Sequence, residues 1–322
     1  MRRRTILIGL AASSATPAGG LAQQAPKVVR VGILIDGSEP HRMPDVLKQG
    51  LSERGYVEGR NVTYDIRYAD GQYARAEQQA AELVSKGVDI IVAHFTPSVR
   101  AAMKATSTIP IIMAPAGAPV QTKLIASLNR PGGNVTGLTN MAAELGGRRL
   151  QLLKDINPRL RRVAVLASSQ DAFTVPFLSY MQEGAEKVGL QLDVAKIAGP
   201  AEFEQTFAAF AANQADAVMI QGVFNSQRTQ IIALANKHKL ATMWFDRPAV
   251  EAGGLISLSA NTGDIYKRVA VVVDRVLKGA KPADLPVEQP TVFELVINMK
   301  TARSLGITIP QSIAIQADEL LD

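Results

Sequence analysis

GVDIIVAHFTPSVRAAMKATSTIPIIMA (residues 87–114) and QADAVMIQGVFNSQRTQIIALANKHKLATMWF (residues 214–245) are the two stretches that decide the fold of this chain. Each places an aspartate, Asp89 or Asp216, directly before an apolar strand, which a polar turn, an Ala-rich helix and a second short apolar strand then follow. This is the pattern of a strand–helix–strand unit. Because every such unit shares it, the similarity does not by itself establish a repeat, but it favours two lobes of similar α/β design.

The same alternation of strands and helices extends outward from these stretches. The compact apolar run at 28–35 suits a central parallel strand that is buried on both faces. Further strands are expected at 163–167, 190–197, 217–221, 241–245 and 255–259. Alternation of this kind predicts parallel sheets with helices on both faces. The predicted fold class is therefore α/β, with two doubly wound parallel-sheet lobes.

The chain length favours two lobes over one, and the chain is expected to pass between them more than once. The first lobe is predicted to comprise residues 28–139 plus 256–285, and the second residues 140–255 plus 290–322. In this division, the strand at 255–259 and the helix at 264–278 return to the first lobe. The proline-containing segment 281–286 is expected to be an extended connector.

The amino terminus has the layout of a secretory signal peptide. Arg2, Arg3 and Arg4 precede a weakly apolar run, and small residues near Ala22 offer a cleavage site. We expect residues 1–25 to be removed on export to the periplasm by the Sec route or, on the arginine pair, by the twin-arginine route. The alternative is a short amphipathic or disordered tail. Loss of the three arginines lowers the formal charge from +6 to +3.

Composition and missing motifs exclude several functional classes. No apolar stretch approaches the roughly 20 residues of a membrane span, and no basic stripe with interleaved aromatics indicates a nucleic-acid partner. The chain has no cysteine, so disulfides and Cys-based metal sites are excluded. Neither a Gly-rich phosphate loop nor a Gly-x-Ser-x-Gly elbow occurs. His41, His94 and His238 lie far apart in the sequence. We therefore expect no enzymatic activity, no metal and no cofactor.

In open α/β sheets, binding sites form beyond the carboxyl ends of the strands. Applied here, this rule predicts a ligand site in the loops that follow the strands and at the lobe crossings. The candidate ligand-binding residues are Ser38, Phe95, Thr96, Pro97, Ala116, Asn140, Ser168, Phe173, Phe224, Asn225, Trp244, Asp246 and Asn261.

Three roles are predicted within this set. Thr96 is expected to cap a helix whose first turn holds Pro97 and Ser98, so that free N–H groups and the hydroxyls of Ser38 and Thr96 bind a carboxylate. The aromatic residues are expected to stack on a planar ligand, and Asp246 to accept from an ammonium group. The alternatives are that Trp244 only caps the core, that Asp246 is a helix N-cap, and that Thr96 caps its helix without any ligand.

Several longer motifs carry a resemblance to a known family. They are GYVEGRN (55–61), ATSTIPII (105–112), RPGGNVTGLT (130–139), RRLQLLKDINP (148–158), EAGGLISLS (251–259) and the run from Asp274 to Pro310. From Val28 to the end, the chain resembles the ABC-transporter substrate-binding proteins that include the tryptophan-binding receptors. This resemblance implies the type I periplasmic-binding fold with a hinge that the chain crosses three times. It also implies presentation of a small solute to a membrane permease driven by a separate ATPase. We expect a monomer, although the sequence leaves the oligomeric state open.

Two departures from the family pattern concern the predicted pocket. Ala118 stands where the family's Gly-Asp-Pro-Val motif has an aspartate, and the pair His94-Phe95 replaces small residues. Both changes indicate a more apolar pocket, suited to an aromatic acid or a solute without a charged amine. The favoured function is thus a solute receptor for uptake of an aromatic amino acid or an aromatic or carboxylate compound. A periplasmic sensor that feeds a membrane receptor and an enzyme on the same architecture are the alternatives.

Overall fold

In the computed structural model, which describes residues 28–322, the first five strands form one parallel sheet. They are β1 (Val29–Ile35), β2 (Val62–Tyr68), β3 (Ile90–His94), β4 (Ile111–Ala116) and β5 (Val135–Thr139), in the spatial order β2-β1-β3-β4-β5. β3, β4 and β5 are buried along their whole length, as expected of apolar strands with helices on both faces. The predicted signal peptide, 1–25, lies outside the described residues.

Three helices connect these strands and cover both faces of the sheet. They are α1 (Arg42–Ser52), α2 (Tyr73–Ser85) and α3 (Phe95–Ala105). Met43, Leu47 and Leu51 of α1 pack on one face of the sheet. Residues of α2 and α3, such as Leu83 and Val99, pack on the other face. The first lobe is therefore doubly wound, as the sequence predicts.

The second sheet begins with five parallel strands of its own. They are β6 (Arg162–Ser168), β7 (Gln191–Ile197), β8 (Ala217–Ile220), β9 (Ala241–Trp244) and β10 (Ile256–Ala260). Its helices are α4 (Gly146–Ile156), α5 (Thr174–Val188), α6 (Phe203–Ala212), α7 (Arg228–Lys237) and the short α8 (Arg247–Glu251). Two separate apolar clusters fill the two faces, so this lobe is doubly wound as well.

The last part of the chain passes once more through both lobes. Helix α9 (Thr262–Leu277) packs its Ile265, Val269 and Val273 against the first sheet. The chain then adds β11 (Phe293–Asn298), α10 (Met299–Ser304), α11 (Gln311–Ala314) and β12 (Glu319–Leu321) to the second lobe. The second sheet has the order β12-β11-β10-β9-β8-β6-β7, and β11 runs antiparallel to β10.

The strand predicted at 255–259 belongs to the second lobe, which corrects its assignment to the first. Ile256 and Ser257 of β10 pair with Met243 and Trp244 of β9 in parallel register, and β11 pairs on the other side. The chain therefore returns to the first lobe after β10. A five-residue buried strand carries no sequence signal for the sheet that it joins, which explains the error. The following helix, α9, lies on the first lobe as predicted.

Three crossings connect the lobes, as the family resemblance implies. They lie between β5 and α4, between β10 and α9, and between the connector after α9 and β11. The connector is anchored to the first sheet, because the Leu285 carbonyl accepts from Thr136 Oγ1 at 2.8 Å and Glu288 N donates to the Gly137 carbonyl at 2.9 Å. A short 3₁₀ turn, Pro282–Asp284, interrupts its expected extended course.

The two stretches that decide the fold occupy equivalent places in the two sheets. Residues 87–114 form β3, α3 and β4, and residues 214–245 form β8, α7 and β9. The carboxylate of Asp89 accepts from the backbone N–H of Arg30 at 2.8 Å. The carboxylate of Asp216 accepts from Arg161 N and Arg162 N at 2.9 and 3.0 Å. Each aspartate thus fixes the amino end of the neighbouring strand, which gives the sequence similarity a structural basis.

Two glycines allow α4 and α5 to approach closely, and this contact gives a first prediction. A Cβ on Gly184 would lie 2.5 Å from the Cα of Gly147. We expect Gly184→Ala to lower the free energy of unfolding by roughly 1.5 kcal/mol, because overpacking outweighs the better helix propensity of alanine. Chemical denaturation measures the change, with Gly199→Ala as the control, since a Cβ there meets no atom within 4 Å. A more stable Gly184→Ala variant would contradict this account of the helix contact.

Within residues 28–322, no helix is both long enough and apolar enough to cross a membrane.

Candidate functional site

The loops beyond the carboxyl ends of the two sheets meet at one surface, which we call the lobe interface. It consists of residues 36–38, 94–98 and 116–118 of the first lobe and residues 168–174, 221–225 and 245–246 of the second. Tyr73 OH lies 3.3 Å from Ser168 Oγ across it. A Cβ on Gly222 would lie 3.7 Å from the ring of Phe95. These contacts show that the structure describes the closed form of the two lobes.

Phe95 joins β3 to α3 through a strained backbone conformation. Its φ angle is +65°, in the left-handed region that bulky side chains rarely adopt. The ring stacks on His94 with 3.9 Å between the centroids and faces Gly222 of the other lobe. Such strain persists only where the surrounding structure imposes it, and it is concentrated at functional sites.

This conformation changes the predicted role of Thr96. The helix begins at Phe95, its N-cap is His94, and no side chain caps it. Thr96 therefore lies within the first turn beside Pro97 and Ser98, and all three are buried. The prediction that Thr96 caps the helix is wrong, because the helix begins two residues earlier than predicted, at the left-handed Phe95. The N–H groups of this turn have no side-chain acceptor, and this suits an anion.

Two histidines that are distant in the sequence meet beside this turn. The rings of His41 and His94 lie 4.6 Å apart, and Tyr266 OH lies 3.4 Å from His94 Nε2. Burial lowers the pKa of His41 to about 4, assisted by the charge of Arg228. Burial also lowers the pKa of His94, and His41 adds to this effect. Both imidazoles are therefore neutral near pH 7, and with Tyr266 and Phe95 they form an aromatic wall.

The wall does not amount to a metal centre. Across residues 28–322, no group of three or more His, Cys, Asp or Glu side chains is placed to hold a metal ion.

A hydrogen-bond network fixes Asp171 on the second lobe. Its two carboxylate oxygens accept from Phe173 N and from Gln221 Nε2, both at 2.9 Å. Gln221 Oε1 in turn accepts from Ser168 N at 2.8 Å and from Thr174 Oγ1 at 3.0 Å. Burial raises the pKa of Asp171 to about 6, although these hydrogen bonds and the charge of Arg100 act in the opposite direction. The network holds one carboxylate in a defined orientation at the lobe interface.

Asp36, at the end of β1, provides a second buried carboxylate from the first lobe. It is 2% exposed. Burial raises its pKa to about 8, and the Asp171 carboxylate contributes to the shift. The phenol of Tyr73 is affected by both carboxylates, and burial together with the charge of Asp171 raises its pKa. The two acidic groups thus interact across the lobe interface.

Three of the predicted residues on the second lobe lie at this interface. Ser168 Oγ contacts Tyr73 and accepts from the backbone of Asp171 at 3.3 Å. A Cβ on Gly117 of the first lobe would lie 2.6 Å from the ring of Phe173. Asn225 Nδ2 donates to Asp246 at 2.8 Å, while Asn225 Oδ1 is buried without a hydrogen-bond partner.

Phe224 and Trp244 lie in the core of the second sheet instead. Trp244 is fully buried in one apolar cluster with Phe203 and Phe224, and Phe224 packs edge-on against Phe203. A Cβ on Gly254 would lie 2.7 Å from Cδ1 of Trp244, so the indole fills space under α8. We therefore withdraw both residues from the site. Both residues lie at or just after the end of a strand, as predicted. A side chain at such a position can point into the helix layer instead of toward the interface, and both do so here.

Asp246 performs the capping role that the sequence left open. It is the N-cap of α8, and its carboxylate accepts from Ala249 N at 3.4 Å. Burial raises its pKa to about 6, opposed by Arg228. Each carboxylate oxygen of Asp246 therefore already accepts a hydrogen bond, one from Ala249 N and the other from Asn225 Nδ2.

The remaining candidates lie at the hinge or on the rim. Asn140 Oδ1 accepts from Ala142 N at 3.0 Å in the first crossing, and Asn140 N donates to the Ala116 carbonyl at 3.3 Å. Asn261 Oδ1 caps α9 by accepting from Asp264 N at 2.9 Å in the second crossing. Ser38 is half-buried beside the interface. The two asparagines therefore have structural partners at the hinge.

Arg149 ties the first two crossings together. Its Nη1 donates to the Ala142 carbonyl at 2.6 Å, and its Nε to the Leu258 carbonyl at 2.8 Å. The guanidinium lies 3.8 Å from the centre of the Phe245 ring, and the residue is 1% exposed. Burial lowers its pKa to about 9, so the guanidinium remains charged near pH 7.

Sequence reasoning missed the most polar part of the site. Asp36 immediately follows a predicted strand and Gln221 is the last residue of another, so the rule of strand ends could have found both. Asp171 lies three residues beyond the end of β6, so the same rule indicates it less strongly. No sequence signal brings His41 to His94, since the contact depends on how α1 and β3 pack.

Residues 28–321 match the family model described as ABC transporter substrate binding protein. The chain is 25% identical over 273 residues to a tyrosine-binding protein of Clostridioides difficile, which covers 83% of this chain and 78% of that protein.

Solved structures show the same arrangement of lobes. A conserved domain protein of Vibrio cholerae is 30% identical, with a TM-score of 0.83, over 92% of this chain and 99% of that one. An ABC domain from Streptococcus pneumonia in complex with L-Trp is 28% identical, with a TM-score of 0.85, over 92% and 100%.

Proposed function

The chain belongs to the family of ABC transporter substrate-binding proteins, and from this membership we propose that it is the periplasmic receptor of an ABC uptake transporter. It has the type I periplasmic-binding fold. In the proposed cycle, the open lobes capture a small organic solute, close around it and present the closed form to a permease driven by a separate ATPase. Export by the signal peptide expected at residues 1–25 is part of the proposal.

Unpaired polar atoms at the lobe interface carry this proposal. His94 Nδ1, Ser98 Oγ and Asn225 Oδ1 are buried and have no hydrogen-bond partner within the described chain. Buried polar groups in folded proteins are almost always hydrogen-bonded, and an unpaired one costs roughly 1–3 kcal/mol. Other buried polar atoms of the described chain also lack a partner, Trp244 Nε1 among them. These three, however, lie around one interface, where a solute in the closed form would supply the missing partners.

The solute class follows from the relatives and from the chemistry of the interface. One relative is named for tyrosine, and one solved structure holds L-Trp. The aromatic wall of Phe95, His41 and His94 suits a planar side chain. The first turn of α3 suits a carboxylate. We therefore propose an amino acid or an aromatic carboxylate as the solute, and no chemical step.

Closure follows from the distribution of these contacts over both lobes. A solute that touches both lobes binds the closed form more tightly than the open form, so it shifts the population toward closure. It also raises the thermal stability, by about 2.7 kcal/mol at a hundredfold excess over its dissociation constant.

A screen of residues 28–322 tests the proposal. We expect at least one compound among L-tyrosine, L-tryptophan, L-phenylalanine, benzoate and 3,4-dihydroxybenzoate to raise the melting temperature and to reduce the radius of gyration in X-ray scattering. A panel that leaves both quantities unchanged contradicts the proposal.

A substitution at Ser98 separates a binding role from a structural one. Because its hydroxyl is buried and unpaired, we expect Ser98→Ala to leave the stability of the solute-free protein unchanged or slightly higher, while the affinity for the solute found in the screen falls about tenfold. Isothermal titration calorimetry and chemical denaturation measure the two effects. Ser107→Ala, exposed beyond the end of the same helix, is the control. Unchanged affinity of Ser98→Ala would remove Ser98 from the site.

Uptake of the solute by a strain that lacks the gene distinguishes the receptor from a sensor. A transport receptor predicts that uptake is lost and is restored by the wild-type chain, whereas a sensor predicts that uptake continues.

A further inference from the structure

Two histidines occupy the same kind of position in the first lobe but bond differently. His41 is the N-cap of α1, and its Nδ1 accepts from Met43 N at 3.2 Å. This Nδ1 therefore has a free lone pair, and the proton of the neutral ring lies on Nε2. His94 is the N-cap of α3 with the same extended backbone, yet its side chain caps nothing. Its Nδ1 is buried without a hydrogen-bond partner in the described part of the chain.

Tyr266 accounts for the difference between the two histidines. Its hydroxyl lies 3.4 Å from His94 Nε2, the one hydrogen-bond partner that it has within residues 28–322. Tyr266 is 6% exposed, and because burial raises the pKa of its phenol, the hydroxyl keeps its proton and can donate it.

The direction of this hydrogen bond decides which nitrogen of His94 carries the proton. If the phenol donates to Nε2, the imidazole proton lies on Nδ1, and only that N–H is left without a partner. In the opposite arrangement, the phenol hydrogen and a bare Nδ1 are both left unpaired, which costs more. A bare Nδ1 could also cap α3 as His41 caps α1. The first arrangement is therefore favoured, and His94 presents an Nδ1–H donor.

The start of α3 offers donors and no acceptor for them. His94 is 4% exposed, and burial lowers the pKa of its imidazole, so the ring is neutral near pH 7. Ser98 lies four residues later on the same face of the helix, is fully buried, and has an unpaired hydroxyl. No side chain caps the first turn between them. Two unpaired donors beside the positive end of an 11-residue helix suit a carboxylate.

We propose that His94 donates its Nδ1–H to a carboxylate of the solute, and that Tyr266 is a positioning residue that fixes His94 in this tautomer. The inference rests on the proposed function and deepens it by assigning a donor for the carboxylate. The family pattern has small residues at this place, so the histidine donor is particular to this chain. Both residues pack in the first lobe, His94 at the end of β3 and Tyr266 on α9. The tautomer is thus set before the lobes close.

Nitrogen-15 NMR of the full chain, labelled at histidine, reads the tautomers without any solute, because protonated and bare ring nitrogens resonate far apart. The chain has three histidines, and His238→Gln and His41→Gln assign them. We expect the proton on Nδ1 in His94 and on Nε2 in His41. Tyr266→Phe should move the His94 proton toward Nε2, whereas a loss of packing alone would not exchange the two nitrogens. A bare Nδ1 in wild-type His94, or a tautomer that Tyr266→Phe leaves unchanged, would overturn the inference.

Isothermal titration calorimetry with L-tyrosine, L-tryptophan and benzoate measures the consequence for binding. We expect Tyr266→Phe to weaken the carboxylates that bind by about fivefold, since a smaller fraction of His94 then has the competent tautomer. His94→Leu should weaken them at least tenfold by removing the donor. His94→Asn should retain more affinity than His94→Leu, because its amide N–H can take the place of Nδ1–H.

A double-mutant cycle separates positioning from a general packing effect. Tyr266→Phe should cost no further affinity when it is added to His94→Leu, since Tyr266 acts through His94. Tyr180→Phe is the control, because Tyr180 packs on the core of the second lobe, and it should leave both the affinity and the tautomers unchanged.

The outcomes distinguish this inference from the proposed function. If a carboxylate binds Tyr266→Phe as tightly as the wild type, or if the two substitutions act additively, the inference is overturned and the receptor function stands. If none of the compounds in the screen binds the wild-type protein, the proposed function fails and this inference fails with it.

Discussion

Gly117→Val is expected to hold the two lobes apart and to weaken solute binding at least a hundredfold, which corresponds to about 2.8 kcal/mol. Gly117 follows β4 on the first lobe, and a Cβ at this position would lie 2.6 Å from Cδ2 of Phe173 on the second. This contact exists only when the lobes are closed. The added side chain therefore penalises the closed form and leaves the open form unaffected, so less of the protein is competent to bind.

X-ray scattering and calorimetry with the solute identified by the screen measure this effect. We expect the solute to compact the wild-type protein and to leave the Gly117→Val variant extended, with little change in its stability to denaturant. Gly133→Val is the control, because a Cβ on Gly133 meets no atom within 4 Å. Gly117→Ala should hinder closure less than Gly117→Val does. The double variant Gly117→Ala/Phe173→Leu should close more readily than Gly117→Ala alone. Wild-type affinity in Gly117→Val would refute the closed arrangement described above.

Arg149→Met is expected to lower the free energy of unfolding by roughly 3 kcal/mol, because two buried carbonyls lose their charged donor. The carbonyls belong to Ala142 and Leu258, which lie in or next to the first two crossings. Methionine preserves much of the side-chain length and apolar contact, but it cannot donate a hydrogen bond. The substitution thus removes the link between the crossings and leaves the core nearly filled.

The neighbouring residue offers a matched control for this prediction. Arg148 lies on the same helix but is exposed, and Arg148→Met should change the stability by less than about 0.5 kcal/mol. Denaturation by urea measures both variants. If Arg149→Met is as stable as the wild type, Arg149 does not anchor the hinge. We also expect Arg149→Met to change the fraction of closed protein, since the guanidinium connects segments that both move when the lobes open.

The closed structure adds acidic groups to the apolar pocket that the sequence predicts. Ala118 and the pair His94-Phe95 predict an apolar pocket for a solute without a charged amine. The structure does place an aromatic wall at His94 and Phe95. It also brings the carboxylates of Asp36 and Asp171 to the same interface. The interface therefore has an aromatic side and an acidic side.

Much of the architecture could be predicted from local sequence patterns. Buried parallel strands appear as continuous apolar runs, and β1, β6, β7, β8 and β9 lie within two residues of the predicted strands. The two doubly wound lobes were predicted correctly for the same reason. The three crossings were inferred from family resemblance and are confirmed.

The assignment of single elements to lobes depended on the tertiary structure. β10 has the apolar pattern of any central strand, and its pairing with β9 and β11 is a property of the assembled sheet. Trp244 illustrates the same limit within one strand. Its place at the strand end is evident from the sequence, but whether the indole faces the helix layer or the interface depends on the packing under α8.

For this protein, the sequence alone determined the α/β class, the pattern of strands and helices, and the loops in which a site must lie. These properties follow from the periodicity of apolar residues and from short-range hydrogen bonding, which act over a few residues. The tertiary structure decided which polar groups meet: His41 with His94, and Tyr73 with Ser168 across the lobes. Those contacts join residues 53 and 95 positions apart, and they form only when helices and sheets have packed and the hinge has closed. Their energies depend on burial, which no local pattern specifies.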